Sequence, residues 1–347
     1  MTTVAPVSTP PSFRRATWIV ASLELRQRRR FRTLWILGAI WFVLIGIVTA
    51  VTWYMLSLTA EAMDQAIDAY PLFSLIVYFV LLFGSLVAPA LSAGSISSER
   101  SGGTLATTQV TLISTGSILA GKALASWITG IAFLVVAAPF VILSVALAQA
   151  PVLQLFIAIL ALMVQIGLFT LMGVGLSALI SSPLFAIVTA YLLVALLSIG
   201  TLIAFALATG TTTRYEDVEY QTYSEQYYQD LDACQEKLGY TEESYTTCER
   251  EIAPECVTET MSVPVVTTDK FWWILAMNPY VTVGDMVYVK TSEYPQDLFG
   301  MIAYAVRIMQ KPPLESEGWD DCGPGVQDQD TSAYEATDEL EGTVPVW

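Results

Sequence analysis

Between residues 33 and 208 the chain carries only six charged side chains: Glu61, Asp64, Asp68, Glu99, Arg100 and Lys122. The remainder divides into five apolar stretches, 33–57, 70–96, 118–148, 152–180 and 184–208. Each is long enough to cross a hydrocarbon core about 30 Å thick. Backbone amides in lipid have no water to bond, so such stretches fold as helices. The pattern predicts an all-α polytopic membrane protein with five transmembrane helices.

Composition agrees. Charged residues are 14% of the 347 and the mean hydropathy is +0.56; a soluble domain carries roughly 25% charged residues. The chain has no histidine, which removes histidine acid–base chemistry and histidine metal ligation. No catalytic set, metal site or cofactor is read from the sequence. The six charges fall in loops or at span ends, so no intramembrane acid is available as a proton relay, and an ion-coupled carrier is disfavoured.

The net charge of −16 is unevenly placed. Up to Ala208 there are nine basic and five acidic residues; from Thr209 onward there are seven basic and twenty-seven acidic. A weakly basic membrane half therefore precedes a strongly acidic one. The acidic half argues against nucleic acid as a partner, because phosphates would repel it.

Residues 1–12 are rich in Pro, Ser and Thr and read as a disordered cytoplasmic tail. Residues 13–32 mix Phe13, Trp18, Ile19 and Leu23 with seven arginines. They predict an amphipathic interfacial helix facing membrane lipids. The same arginines hold the N-terminus in the cytoplasm. No cleaved signal peptide is expected, since the apolar run is too long. Five spans then carry 209–347 to the outside of the plasma membrane as an acidic extracellular domain.

That side of the membrane permits disulfides among Cys234, Cys248, Cys256 and Cys322. Four cysteines admit three pairings, and spacing does not choose among them. One local bridge plus one tying Cys322 back is the expectation. Residues 215–255 show helical spacing in places. Residues 271–289 are apolar but broken by Asn278, Pro279, Gly284 and Asp285, and are placed at the outer interface rather than across the membrane. Residues 297–311 predict a short amphipathic helix ended by Pro312 and Pro313. Gln154 and Gln165 are the strongly polar side chains of the fourth span, and their expected role is interhelical hydrogen bonding; Gly173 and Gly175 suit close helix packing.

The polar segment between the second and third spans is the expected docking surface. Residues 116–123 read GSILAGKA, one residue short of a phosphate-binding G-x-x-x-x-G-K-[ST] loop. That loop needs a final hydroxyl for magnesium and a preceding buried strand. Here Ala123 stands at the last position and a membrane span follows, so nucleotide binding is not expected. Lys122 is instead expected to anchor at the interface.

Upstream lie Glu99-Arg100 and Gly103-Thr104-Leu105, followed by Gly121-Lys122 at the opening of the third span. Their order and spacing resemble the cytoplasmic segment of ABC-2-type transporter permeases. The likeness extends to the surface helix and to Trp272-Trp273, Asn278-Pro279 and Asp285. It implies the transmembrane permease subunit of an ATP-driven exporter. Residues 97–117 would be the coupling segment for a separate ATP-binding subunit, through Glu99, Arg100, Gly102, Gly103, Thr104, Leu105, Gly121 and Lys122. A homodimer, or pairing with a related permease subunit, is implied as well, and the chain itself would be no enzyme. The glycines Gly102 and Gly103 would let the backbone turn. Members of that family usually have six spans, whereas this sequence stops at Val344-Pro345-Val346-Trp347, about where the sixth would begin. The alternative reading is a membrane-anchored extracellular binding or assembly protein, in which the acidic, Tyr-rich domain does the work. The cargo is not legible.

Overall fold

The computed structural model describes residues 11–103, 114–253, 255–289, 297–313, 322 and 342–347. They form two compact units. One comprises Met1–Ile203, Trp273–Arg307 and Val344–Trp347; the other comprises Ala204–Trp272 and Ile308–Thr343.

The first unit opens with α1 (Phe13–Arg30), which ends at the extended residue Phe31. Next come α2 (Arg32–Met63), α3 (Tyr70–Ser92), the short α4 (Ser97–Ser101), α5 (Thr115–Ala148) and α6 (Val152–Leu179). The fifth long helix, Pro183–Thr211, is built from α7 (Pro183–Ala195), a π-helical turn (Leu196–Gly200) and α8 (Thr201–Thr211). Among the described residues, five helices are thus long and apolar enough to cross a membrane. The fold is that of an all-α polytopic membrane protein.

The core lies around α3, the most buried of the five. Leu72, Phe73, Ile76, Val77 and Leu81 meet Trp41 and Ile45 of α2, Phe133 and Val141 of α5, and Leu162 of α6. Lipid tails are as apolar as these side chains, so association depends on close packing and on hydrogen bonds rather than on water release. Both are present. Gly173 of α6 lies against Ser92 and Ala93 with no room for a side chain. Trp41 Nε1 donates to the Phe133 carbonyl at 3.2 Å, and Trp127 Nε1 to that of Met163 at 2.8 Å. The tight turn after α5 passes through Gln149, a non-glycine residue at φ 53°.

After the fifth helix the chain returns to this unit in three short pieces: α11 (Trp272–Ala276), α12 (Pro279–Val287) and α13 (Leu298–Ile308). Residues 271–289 are therefore two short helices broken at Asn278-Pro279. Val283 and Val287 join the core, as does Phe299 of α13, whose ring packs edge-on against Phe73 at 5.4 Å. Gln154 Nε2 donates to the Val287 carbonyl at 3.0 Å, an interhelical bond. Asp285 is buried, accepts from Arg307 Nε at 2.7 Å and from the Val346 amide at 2.9 Å. Asp297 caps α13 through the amides of Phe299 and Gly300, and burial pushes its carboxyl above the ordinary carboxylate range.

The second unit contains strands that the acidic composition concealed. Strand β1 (Arg214–Tyr223) pairs antiparallel with β2 (Cys256–Val265), from Arg214 opposite Val265 to Tyr223 opposite Cys256. Tyr, Val and Thr favour this pleated surface despite the intervening carboxylates. Between the strands lie α9 (Glu225–Leu238), capped by Ser224, and α10 (Glu242–Glu251), opened by a Thr241/Ser244 capping box. Cys234–Cys248 joins these two helices, and Cys256–Cys322 ties the first residue of β2 to a cysteine 66 positions later. Tyr227, Leu231 and Cys248 form the small core.

Asn278 resolves a local conflict. The π-helical turn leaves carbonyls out of register, and Asn278 Nδ2 donates to Ser198 O at 2.7 Å and to Thr201 Oγ1 at 3.0 Å. Its Oδ1 also accepts from the Tyr280 amide, capping α12. Asn278→Ala should lower stability by about 1–3 kcal/mol, combining a lost cap with a half-buried carbonyl deprived of its side-chain donor. Asn278→Asp, which keeps the cap but loses the amide donor, should recover only part of this. Thermal unfolding of the purified chain in detergent measures both.

Candidate functional site

The polar segment after the second span begins where α3 unwinds at Ala93. The freed amides of Ile96 and Ser97 both donate to Ser177 Oγ of α6, at 2.9 and 3.1 Å. This buried hydroxyl fixes the start of α4. The helix is brief because Gly103 takes a left-handed φ of +72° beyond its end. Gly102 stays helical at φ −81°, so of the two glycines only Gly103 makes the turn. Thr104 and Leu105 lie outside the described residues.

Glu99 and Arg100 do not pair with each other. Glu99 Oε1 meets Lys122 Nζ at 2.7 Å, and Lys122 also meets Glu24 Oε2 of α1 at 3.3 Å. The Lys122 side chain is only 5% exposed, so it is enclosed within the protein rather than extended toward headgroups. Arg100 Nη2 donates to the Ala178 carbonyl at 3.2 Å, close to the end of α6, and the residue is exposed.

A second cation completes the cluster. Arg28 of α1 donates to Glu24 Oε1 at 3.4 Å, Ser126 Oγ at 2.9 Å, the Leu91 carbonyl at 3.1 Å and Thr129 Oγ1 at 3.4 Å. Two carboxylates and two cations thus join α1, α4 and α5. A buried ammonium is tolerable only with such partners. Lys122, Ser126 and Thr129 share one face of α5 through their i, i+4, i+7 spacing, and Glu24 and Arg28 share one face of α1.

Gly121 explains how α1 comes close enough. A Cβ there would stand 2.6 Å from Val20 Cβ and 2.9 Å from the Thr17 carbonyl, both on α1. Gly121 is the seat of α1, and Lys122 beside it is the clasp. The sequence singles out Glu99, Arg100, Gly121 and Lys122, but not Glu24, Arg28, Ser126, Thr129 or Ser177. The available signal was Glu24 four residues before Arg28 on a basic helix. What it would bond to lies about a hundred positions away.

Among the described residues there is no cluster of His, Cys, Asp and Glu that could hold a metal ion. Removing one member of a buried ion cluster strands the rest. Lys122→Met should destabilise the chain by about 3 kcal/mol or more. Lys122→Arg should retain most of that stability. Gly121→Val should detach α1 with the other helices intact, read as faster protease cleavage within α1.

The profile of the ABC-2 family transporter protein matches residues 18–238, well over half of the chain and inclusive of every residue of this cluster. No curated protein matches, and no solved structure matches. Five apolar spans and the matched profile converge: the chain belongs to the ABC-2 transporter family, as a multi-pass membrane permease of an ABC transporter.

Proposed function

We propose that this permease is the transmembrane subunit of an ATP-driven exporter and that α4 is its coupling helix. The ATP would be bound by a separate subunit, since the GSILAGKA segment lacks the hydroxyl that magnesium needs. The observation that carries the reading is the mounting of α4. Ser177 holds its start and Lys122 holds its Glu99, while Ser98 and Arg100 remain exposed. A five-residue helix fastened this way transmits a push on its exposed face to α1, α5 and α6 as a rigid-body movement.

In this reading Arg100 and the neighbouring exposed face recognise the ATP-binding subunit by charge and shape. Gly103, Thr104 and Leu105 would belong to the same coupling segment. Glu99, Gly121 and Lys122 would act behind it, holding the helix in place. By the positive-inside rule the arginines of α1 would favour a cytoplasmic N-terminus and a cytoplasmic α4, with the disulfide-bearing unit outside. The permease would work as a pair, with a second copy or a related subunit.

Affinity purification from the native cells in mild detergent tests this. The wild-type chain should bring down an ATP-binding subunit in stoichiometric amount. Ser98→Glu combined with Arg100→Glu should lose it, with unfolding temperature within a few degrees of wild type. Recovery of no ATPase by the wild-type chain would favour the extracellular binding protein instead.

A further inference from the structure

A groove of about 580 Å³ opens between α1, α2 and α5, with Arg28, Arg29 and Trp35 at one end. Apart from Thr129, its walls are otherwise apolar, from Gly38, Ala39 and Phe42 on α2 and Ala132, Phe133 and Val136 on α5. The lining of α2 from Leu34 to Phe42 extends about 12 Å along the axis, as does that of α5 from Ile128 to Val136. That is close to the depth of one leaflet, half of the roughly 30 Å core.

The charged end is not neutral. Arg28 and Lys122 are balanced by Glu24 and Glu99 within the cluster. Arg29 adds a positive charge beyond that balance and is exposed, with Arg30 and Arg32 beside it. Trp35 Nε1 donates to the Arg29 carbonyl at 3.3 Å, which holds the indole at the mouth. Tryptophan favours this headgroup level of a bilayer. A cationic mouth above a leaflet-deep apolar cleft matches a molecule with an anionic head and a long hydrocarbon tail.

We propose that this groove holds one anionic phospholipid, its phosphate at Arg29 and an acyl chain along Gly38, Ala39, Ala132 and Val136. The lipid would fill the space beside α1 and so brace the helix against the span that follows it. This reading requires α1 to lie at the membrane surface but does not depend on ATP coupling, so it holds for the permease purified alone.

Native mass spectrometry of the full chain in mild detergent, challenged separately with phosphatidylglycerol and phosphatidylcholine, is the test. The wild type should retain one phosphatidylglycerol and hold phosphatidylcholine at least fivefold more weakly. Arg29→Ala should reduce that preference about fivefold, the usual worth of one basic side chain near an anionic surface. Gly38→Leu should exclude both lipids. A Cβ at Gly38 meets nothing within 4 Å, so this variant fills the groove without disturbing the helices. Equal retention of the two lipids, unchanged binding by Arg29→Ala or by Gly38→Leu, or recovery of a lipid-free dimer that Gly38→Leu dissociates would each overturn the proposal.

Discussion

The Lys122 side chain is almost wholly enclosed, and the arrangement around it follows from that. An isolated charge in such a place costs several kcal/mol, so it must be met by carboxylates at hydrogen-bonding distance. Glu99 and Glu24 supply them from two different elements. α4 and α1 are therefore held to the head of α5 by one shared charge. Neither can swing away alone without exposing the other's partner to an apolar surrounding. Gly121, one residue earlier, makes the approach sterically possible, because a side chain there would overlap Val20. Glycine and lysine at adjacent positions thus perform complementary tasks, one removing volume and the other supplying attraction.

The same scarcity of polar partners organises the rest of the first unit. Where lipid replaces water, a side-chain donor that reaches a backbone carbonyl on another helix specifies both register and rotation. Trp41, Trp127, Gln154, Tyr191 and Asn278 each do so. The π-helical turn in the fifth span is the sharpest case. Its extra residue displaces the local carbonyl ladder, and such turns persist where an outside donor compensates. Asn278 is that donor, held at the start of α12 by its own capping bond and by Pro279. The short helices after the fifth span are consequently part of the packing of this unit, and their polar residues mark where they dock.

How much of this was legible depends on the range of the interaction. The five spans could be read because the absence of charge over some 25 residues is a local property. The Asn278-Pro279 break was legible for the same reason, as were the prolines after α13. The strands were not. In β1 the Tyr, Val and Thr of a pleated surface alternate with Glu and Asp, and the solvation pattern hides the backbone preference. The sequence suggests an interfacial anchor at Lys122 because lysine before an apolar run usually reaches outward. Here it turns inward because Glu24, 98 residues earlier, and Glu99, 23 residues earlier, wait for it. Nothing within either neighbourhood announces the other. Gly102 and Gly103 were equivalent in the sequence, and only the backbone distinguishes the helical one from the one that turns.

Glu99 and Arg100 are adjacent in sequence but stand on different sides of the physics. Glu99 is drawn toward a buried cation, so reversing its charge would strand Lys122 and unseat α1 before any partner was met. Arg100 sits in the open with one bond to the carbonyl of Ala178, a contact that costs little to give up. A partner subunit that competes for Arg100 would therefore exchange one weak hydrogen bond for a charge-assisted one, leaving the clasp untouched. Any force it then applied to α4 would pass along three routes: through Ser177 to α6, through the helical turns to α3, and through Lys122 to α5 and α1. The first two are short and stiff. The third runs through flexible side chains but is held by charge, so it tolerates a change of angle without breaking. In the coupling reading proposed above, this difference would let α4 tilt while α1 follows it.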